Sequence, residues 1–252
     1  MKTIFLETRN VARFREALSV LEDTDRGQPG LGIAWGQAGR GKTFCAREYA
    51  VRTGAVYMRY LQDWTPRAML AELCRQLNGS EPHTVDRAKK IAVELLDKKR
   101  QTVLVDEADR LDAGLVEHLR DVHDLVGVPV VLIGEEGLFS KINAHRRIWS
   151  RVTQTVEFGP ITTEDISLFG IEAAGLRLDP EAAQKIGARS GGDFRLVWTD
   201  MHALEQMARA AGARQVDAKM VAALASRQGR DAGLSRAARD RRPEGGGANG
   251  NA

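Results

Sequence analysis

The stretch Gly36-Gln37-Ala38-Gly39-Arg40-Gly41-Lys42-Thr43 constrains the fold more than any other part of the chain. It stands between an apolar run, "LGIAWG" over 31–36, and a segment with helical spacing over 42–53. Glycines let a backbone curl so that successive N–H groups face inward, and the helix that follows presents its positive end to the same point. A loop built this way seats phosphate oxygens. Lys42 supplies a point charge for the outer phosphates and the Thr43 hydroxyl is a ligand for Mg²⁺. Gln37, Ala38, Arg40 and Phe44 complete the loop and the first helical residues; Arg40 at the tip faces either phosphate or a partner chain, and the sequence does not choose between them. Placement between a strand and a helix separates this loop from an ordinary glycine-rich turn.

Further apolar runs follow at 55–61, 102–108 and 129–134, with a weaker one at 153–158. Helical patterns lie between them at 66–78, 84–100 and 113–126, the first opened by Thr65 and Pro66 as a cap followed by a proline at the first helical position. Continuous apolar strands alternating with helices predict an α/β fold with a parallel sheet covered on both faces. After Pro160 four helical segments follow, opened by Thr or Asp and mostly closed by glycine, and no strand-like run is visible. The expected organisation is an N-terminal helix and linker over 1–30, a core over 31–160, a small all-helical domain over 161–228, and a basic, glycine-rich, disordered tail over 229–252.

The second half of a phosphate site should be an acid at the exit of another strand. "TVLVDEADRL" delivers Asp106 and Glu107 there. Asp106 is expected to hold Mg²⁺, directly or through water, and Glu107 to polarise an attacking water. The bound molecule is then a nucleotide that can be hydrolysed.

A whole strand lies in sequence between the two motifs, and a glutamate follows the Mg²⁺ aspartate. This arrangement resembles the AAA+ branch of P-loop ATPases, in which an extra strand separates the two motif strands and a helical lid follows the sheet. The resemblance implies further site residues. The usual polar first sensor would fall near Gly134 or Glu135, where the expected Asn, Thr or Ser is missing. Arg146, Arg147 and Arg151 lie where the family carries an arginine that reaches a neighbour's nucleotide; "SRV" matches best and favours Arg151. Arg195 in "GGDFRLVW" resembles the second sensor, which touches the phosphates from the lid. Asn10, near the start of the first helix, falls in the segment that lies over the adenine.

Within that branch, the opening helix and the stretches "TPRAMLAELCRQLNG", "VVLIGEEGLFSKI" and "RVTQTVEFGPIT" resemble the transposition ATPases: the B proteins of Mu-like phages and the TnsC-type regulators. That likeness implies non-specific binding of double-stranded DNA, assembly into a homo-oligomeric filament or ring, and a transposase partner. Secretion-linked ATPases of the ExeA type share the flanking features and give the alternative, an ATPase acting on protein without DNA. The formal net charge of +3 and pI near 9.0 permit nucleic acid without requiring it. Candidate phosphate contacts are Arg67, Arg75, Lys89, Lys90, Lys98, Lys99 and Arg100, with Arg236, Arg239, Arg241 and Arg242 of the tail as a second group. Two cysteines make no disulfide framework, and no run approaches a membrane span, so a cytoplasmic protein without a membrane partner is expected; the resemblance implies a bacterial or phage-infected cell. His118 and His123 read as surface helix positions rather than metal ligands.

Overall fold

A computed structural model describes residues 1–2, 4–23 and 30–226. The tail arginines lie outside the described residues, as does the linker over 24–29. The chain divides into two compact units, one formed by Leu6–Ile161 with Gly192–Phe194, the other by Met1–Phe5, Thr162–Gly191 and the chain from Arg195 onward.

The first unit is a five-stranded parallel sheet in the order β2-β3-β4-β1-β5. The strands are β1 (Leu31–Trp35), β2 (Val56–Arg59), β3 (Val103–Asp106), β4 (Val130–Gly134) and β5 (Val152–Glu157). Helices α1 (Arg9–Glu22), α2 (Lys42–Thr53), α3 (Pro66–Asn78), α4 (Val85–Lys98), α5 (Ala113–Val126), α6 (Gly137–Asn143) and α7 (Arg146–Trp149) flank it. The helix starts follow local chemistry: Thr8, Thr65, Thr84 and Asp112 each accept a backbone N–H of the first turn of α1, α3, α4 and α5.

Alternation along the strands sorts the two faces. Leu31, Ile33, Val56, Met58, Val103, Val105, Val130 and Leu132 join a core with Met69, Leu70 and Leu73 of α3, Ala88, Ala92 and Leu96 of α4, and Leu115, Leu119 and Val122 of α5. The opposite face meets α1. A Cβ added at Gly32 would stand 2.8 Å from Leu21, so this glycine lets α1 approach β1 closely. Phe14 of α1 meets Phe158 edge-on at 5.7 Å and Tyr49 of α2 at 6.2 Å.

His123 corrects the expectation of a surface position. It is 3% exposed. Its Nε2 takes the backbone N–H of Gly30 at 3.1 Å and its Nδ1 pairs with the carbonyl of Val128 at 2.8 Å. One imidazole thereby satisfies the backbone where β1 and β4 begin, a need no helical periodicity reveals.

The second unit contains α8 (Thr163–Phe169), a π-turn over Gly170–Ala174, α9 (Pro180–Ser190), α10 (Phe194–Ala210), whose first residue belongs to the sheet unit, and α11 over 218–226. A capping box between Thr162 and Asp165 starts α8. The expectation of an all-helical segment needs one correction: β6 (Arg177–Leu178) and β7 (Gln215–Val216) pair in parallel. Two-residue strands are too short to carry a period, which is why the sequence does not show them.

Candidate functional site

The loop after β1 carries three glycines at positive φ: Gly36 at 147°, Gly39 at 78° and Gly41 at 89°. Gly36 is also tightly enclosed, since a Cβ there would lie 2.5 Å from the carbonyl oxygen of Phe158. A Cβ at Gly39 would enter the carboxylate of Asp193, and the Gly39 carbonyl accepts the N–H of Phe194 at 2.9 Å. Gly192–Phe194 therefore clasps the loop from outside. Arg40 folds back, with Nη2 donating to Gln37 Oε1 at 2.6 Å and Nη1 lying against Gly192.

Helix α2 starts behind Gly41 without any side-chain cap. Its first N–H groups remain available to an anion, which fits a phosphate. Lys42 is 9% exposed, and its ammonium donates to the carbonyls of Gly36 at 2.6 Å and Gln37 at 2.7 Å. Burial pushes it below its ordinary pKa, against the pull of Glu135, Asp106, Asp109 and Glu107. Those carboxylates therefore share a neighbourhood with the lysine. The Thr43 hydroxyl, one residue on, has no hydrogen-bond partner among the described residues.

Asp106 closes β3 and is 2% exposed. Its Oδ1 accepts the N–H of Glu107 at 2.9 Å, and its Oδ2 accepts the hydroxyl of Tyr57 at 2.8 Å. Glu107 has φ of 59°, a left-handed conformation uncommon outside glycine. Its carboxylate pairs with Arg59 at 2.9 Å and with Arg110 at 3.4 Å. The half-buried Thr43 hydroxyl and the buried Asp106 carboxylate are oxygen ligands of the kind that suits a hard cation held beside phosphates.

The missing first sensor has a steric explanation. The space beside Gly134 is filled by Asp109: a Cβ there would stand 2.5 Å from its Oδ1, which also accepts the N–H of Glu135 at 3.0 Å. Tyr57, Arg59, Asp109, Arg110 and Asp193 are neighbours of the site that sequence reading missed. For Tyr57 and Arg59 a signal existed: two polar-tipped residues two apart in an otherwise apolar strand share one face.

Other expected residues fall elsewhere. Asn10 donates its amide to the carbonyl of Gly159 at 2.9 Å and accepts its N–H at 3.2 Å. Its side chain ties α1 to the chain just past β5. Phe44 is exposed on α2. Arg151 precedes β5, and its Nε pairs with Asp124 at 2.9 Å. It lies at the entry of the strands, about 15 Å along β1 from its own loop. Arg146 and Arg147 are exposed on α7. Arg195 is the second residue of α10 and exposed.

The candidate DNA contacts differ in what holds them. Arg100 donates to the carbonyls of Val126 at 3.0 Å and Gly127 at 2.5 Å and so caps α5. Lys89 pairs with Asp121 at 2.7 Å. Both charges serve the fold. Arg75 pairs with Glu72 and Lys90 with Asp86, within their own helices, and such exposed pairs exchange cheaply. Arg67, Lys98 and Lys99 are exposed.

Comparison with known proteins agrees with this geometry. Residues 25–142 match the family described as an AAA domain. The chain is 23% identical over 181 residues to the Mu-like prophage FluMu DNA transposition protein B of Haemophilus influenzae, covering 66% of this chain and 62% of that one. It is 26% identical over 157 residues to the ATP-dependent target DNA activator B of Escherichia phage Mu, with 61% and 47% covered. It is 28% identical over 211 residues to general secretion pathway protein A of Aeromonas hydrophila, with 73% and 38% covered. The match thus spans less than two thirds of each relative's own length. Among solved structures, the Aeropyrum pernix ORC1 protein in complex with DNA superposes with a TM-score of 0.61 at 18% identity, over 91% of this chain and 67% of that one. This chain shares the fold of that protein, and the AAA-domain match falls on its sheet unit.

Proposed function

We propose that this chain is a Mu B-like AAA+ ATPase, a reading supported by the AAA-domain match and by the similarity to two transposition proteins: it binds ATP with Mg²⁺, assembles on double-stranded DNA without sequence preference, hydrolyses the nucleotide, and delivers or activates a transposase in the cytoplasm. The observation that carries the reading is the gathering of an uncapped loop–helix junction, a buried lysine and the Asp106–Glu107 pair in one neighbourhood. Similarity to two transposition proteins supplies the DNA part.

The residues divide the work. Lys42 exchanges the carbonyls of Gly36 and Gln37 for the outer phosphates, an exchange favoured because the new partners carry full charge. Thr43 and Asp106 hold Mg²⁺, which when bound neutralises developing phosphate charge. Glu107 orients the attacking water and accepts its proton once Arg59 and Arg110 let go. Arg151 of one subunit reaches the nucleotide of the next after leaving Asp124. Weak contacts from Arg67, Lys98 and Lys99 sum along an oligomer into useful DNA affinity.

ATP turnover with and without duplex DNA tests this, alongside electron microscopy of the assemblies. Turnover that responds to DNA and DNA-bound oligomers that dissolve with salt are expected; no DNA-bound oligomer at low salt rejects the DNA reading. Lys42→Ala should weaken ATP binding in a direct titration, and Glu107→Gln should trap an ATP-bound assembled state with turnover lost. The similarity to general secretion pathway protein A favours a second reading, an ATPase answering to a protein partner. Turnover indifferent to DNA would support it.

A further inference from the structure

We propose that Tyr57 is a positioning residue that sets the Asp106 carboxylate for the cation, an inference that rests on the nucleotide-hydrolysing reading above. Strand β2 is the edge of the sheet, beside β3. Alternation sends Val56 and Met58 into the core and turns Tyr57 and Arg59 to the other face. The register sets Arg59 opposite Asp106 and Tyr57 opposite Leu104, so the Tyr57 ring must reach one diagonal position to place its hydroxyl 2.8 Å from Oδ2. Oδ1 is held from a different direction by the N–H of Glu107 at 2.9 Å.

Two donors from separate pieces of backbone fix the plane of a carboxylate that would otherwise rotate about its own side-chain bond. Asp106 is 2% exposed, so water is poorly placed to substitute for either donor. Each carboxylate oxygen accepts about two hydrogen bonds, and each therefore retains a lone pair for a cation or a cation-bound water. Ligand carboxylates commonly depend on such outer partners, whose loss costs ~10–100-fold in metal affinity. A residue that merely fills space at the sheet edge needs no hydroxyl, and that distinction is testable.

The full chain is titrated with a fluorescent ATP analogue, first in EDTA and then at increasing Mg²⁺. Paramagnetic resonance of free Mn²⁺ gives an independent reading of cation binding in the nucleotide complex. In Tyr57→Phe, analogue affinity in EDTA should match the wild type, while the Mg²⁺ needed for half of the cation-dependent gain should rise about tenfold, with a parallel loss of bound Mn²⁺. Asp106→Asn should remove the gain itself. A Tyr57→Phe protein with an unchanged Mg²⁺ and Mn²⁺ requirement, beside an Asp106→Asn protein that has lost it, overturns the role of Tyr57 and leaves the functional reading standing. A wild-type protein that binds no nucleotide overturns both.

Discussion

The Arg59 guanidinium lies 2.9 Å from the Glu107 carboxylate; Arg59 ends β2, and Glu107 follows the last residue of the neighbouring β3. The group proposed as base is thus ion-paired, with Arg110 as a second partner at 3.4 Å. An ion-paired carboxylate points at its partners rather than at a water. Arg59 is 57% exposed, so the pair is worth only ~1 kcal/mol. Arg59→Ala should therefore raise DNA-independent ATP turnover by roughly fivefold, the rate equivalent of that energy. A phosphate-release assay checks it; turnover at or below the wild-type level would show that the pair does not restrain the base.

Gly39 and Gly137 make a controlled comparison. Gly39 has φ of 78° and no room for a Cβ beside Asp193, whereas Gly137 starts α6 with nothing within 4 Å. Gly39→Ala should lower the melting temperature and abolish ATP binding, because both conformation and space forbid the methyl. Gly137→Ala should be neutral or stabilise by ~0.5–1 kcal/mol. Thermal unfolding with and without nucleotide reads both.

Tyr57 offers a pH signature. Burial, then the bond to Asp106, raises its pKa, and burial, then Glu22, does the same for Tyr49. A folded pKa above the unfolded value near 10 means that the stability these phenols contribute is complete below pH 10 and is lost as pH climbs through the folded value. Absorbance titration of tyrosinate should show both ionising late. Asp106→Asn should bring Tyr57 to lower pH and leave Tyr49 in place; an unchanged titration would contradict the bond.

His123 should matter for folding alone. His123→Ala removes two buried backbone bonds and leaves a cavity, costing ~2–4 kcal/mol in denaturant unfolding. ATP affinity of the remaining folded protein should be unchanged. Gly30→Ala should act in the same direction, because its Cβ would stand 2.8 Å from the imidazole.

The sequence by itself determined the elements and the two motifs. Glycine spacing, an apolar run and a helical pattern specify a loop between strand and helix, and α2, α3 and α5 run over the residues their caps and periodicity predict. The acids at 106 and 107 follow from strand exit alone. Local chemistry is enough for these, because each depends on neighbours in the chain. What only the tertiary structure decided is which residues from distant segments meet. It is β4 that separates β1 from β3 in space, while β2, which separates them in sequence, takes the edge. That placement brings Tyr57 to Asp106 and Arg59 to Glu107 across 49 and 48 residues. It brings Asp193 to Gly39 and puts Asp109 in the space a side chain at 134 would need. Pairings of that kind carry no periodicity. They are set by strand order and register, which long-range packing selects and no short window of sequence contains.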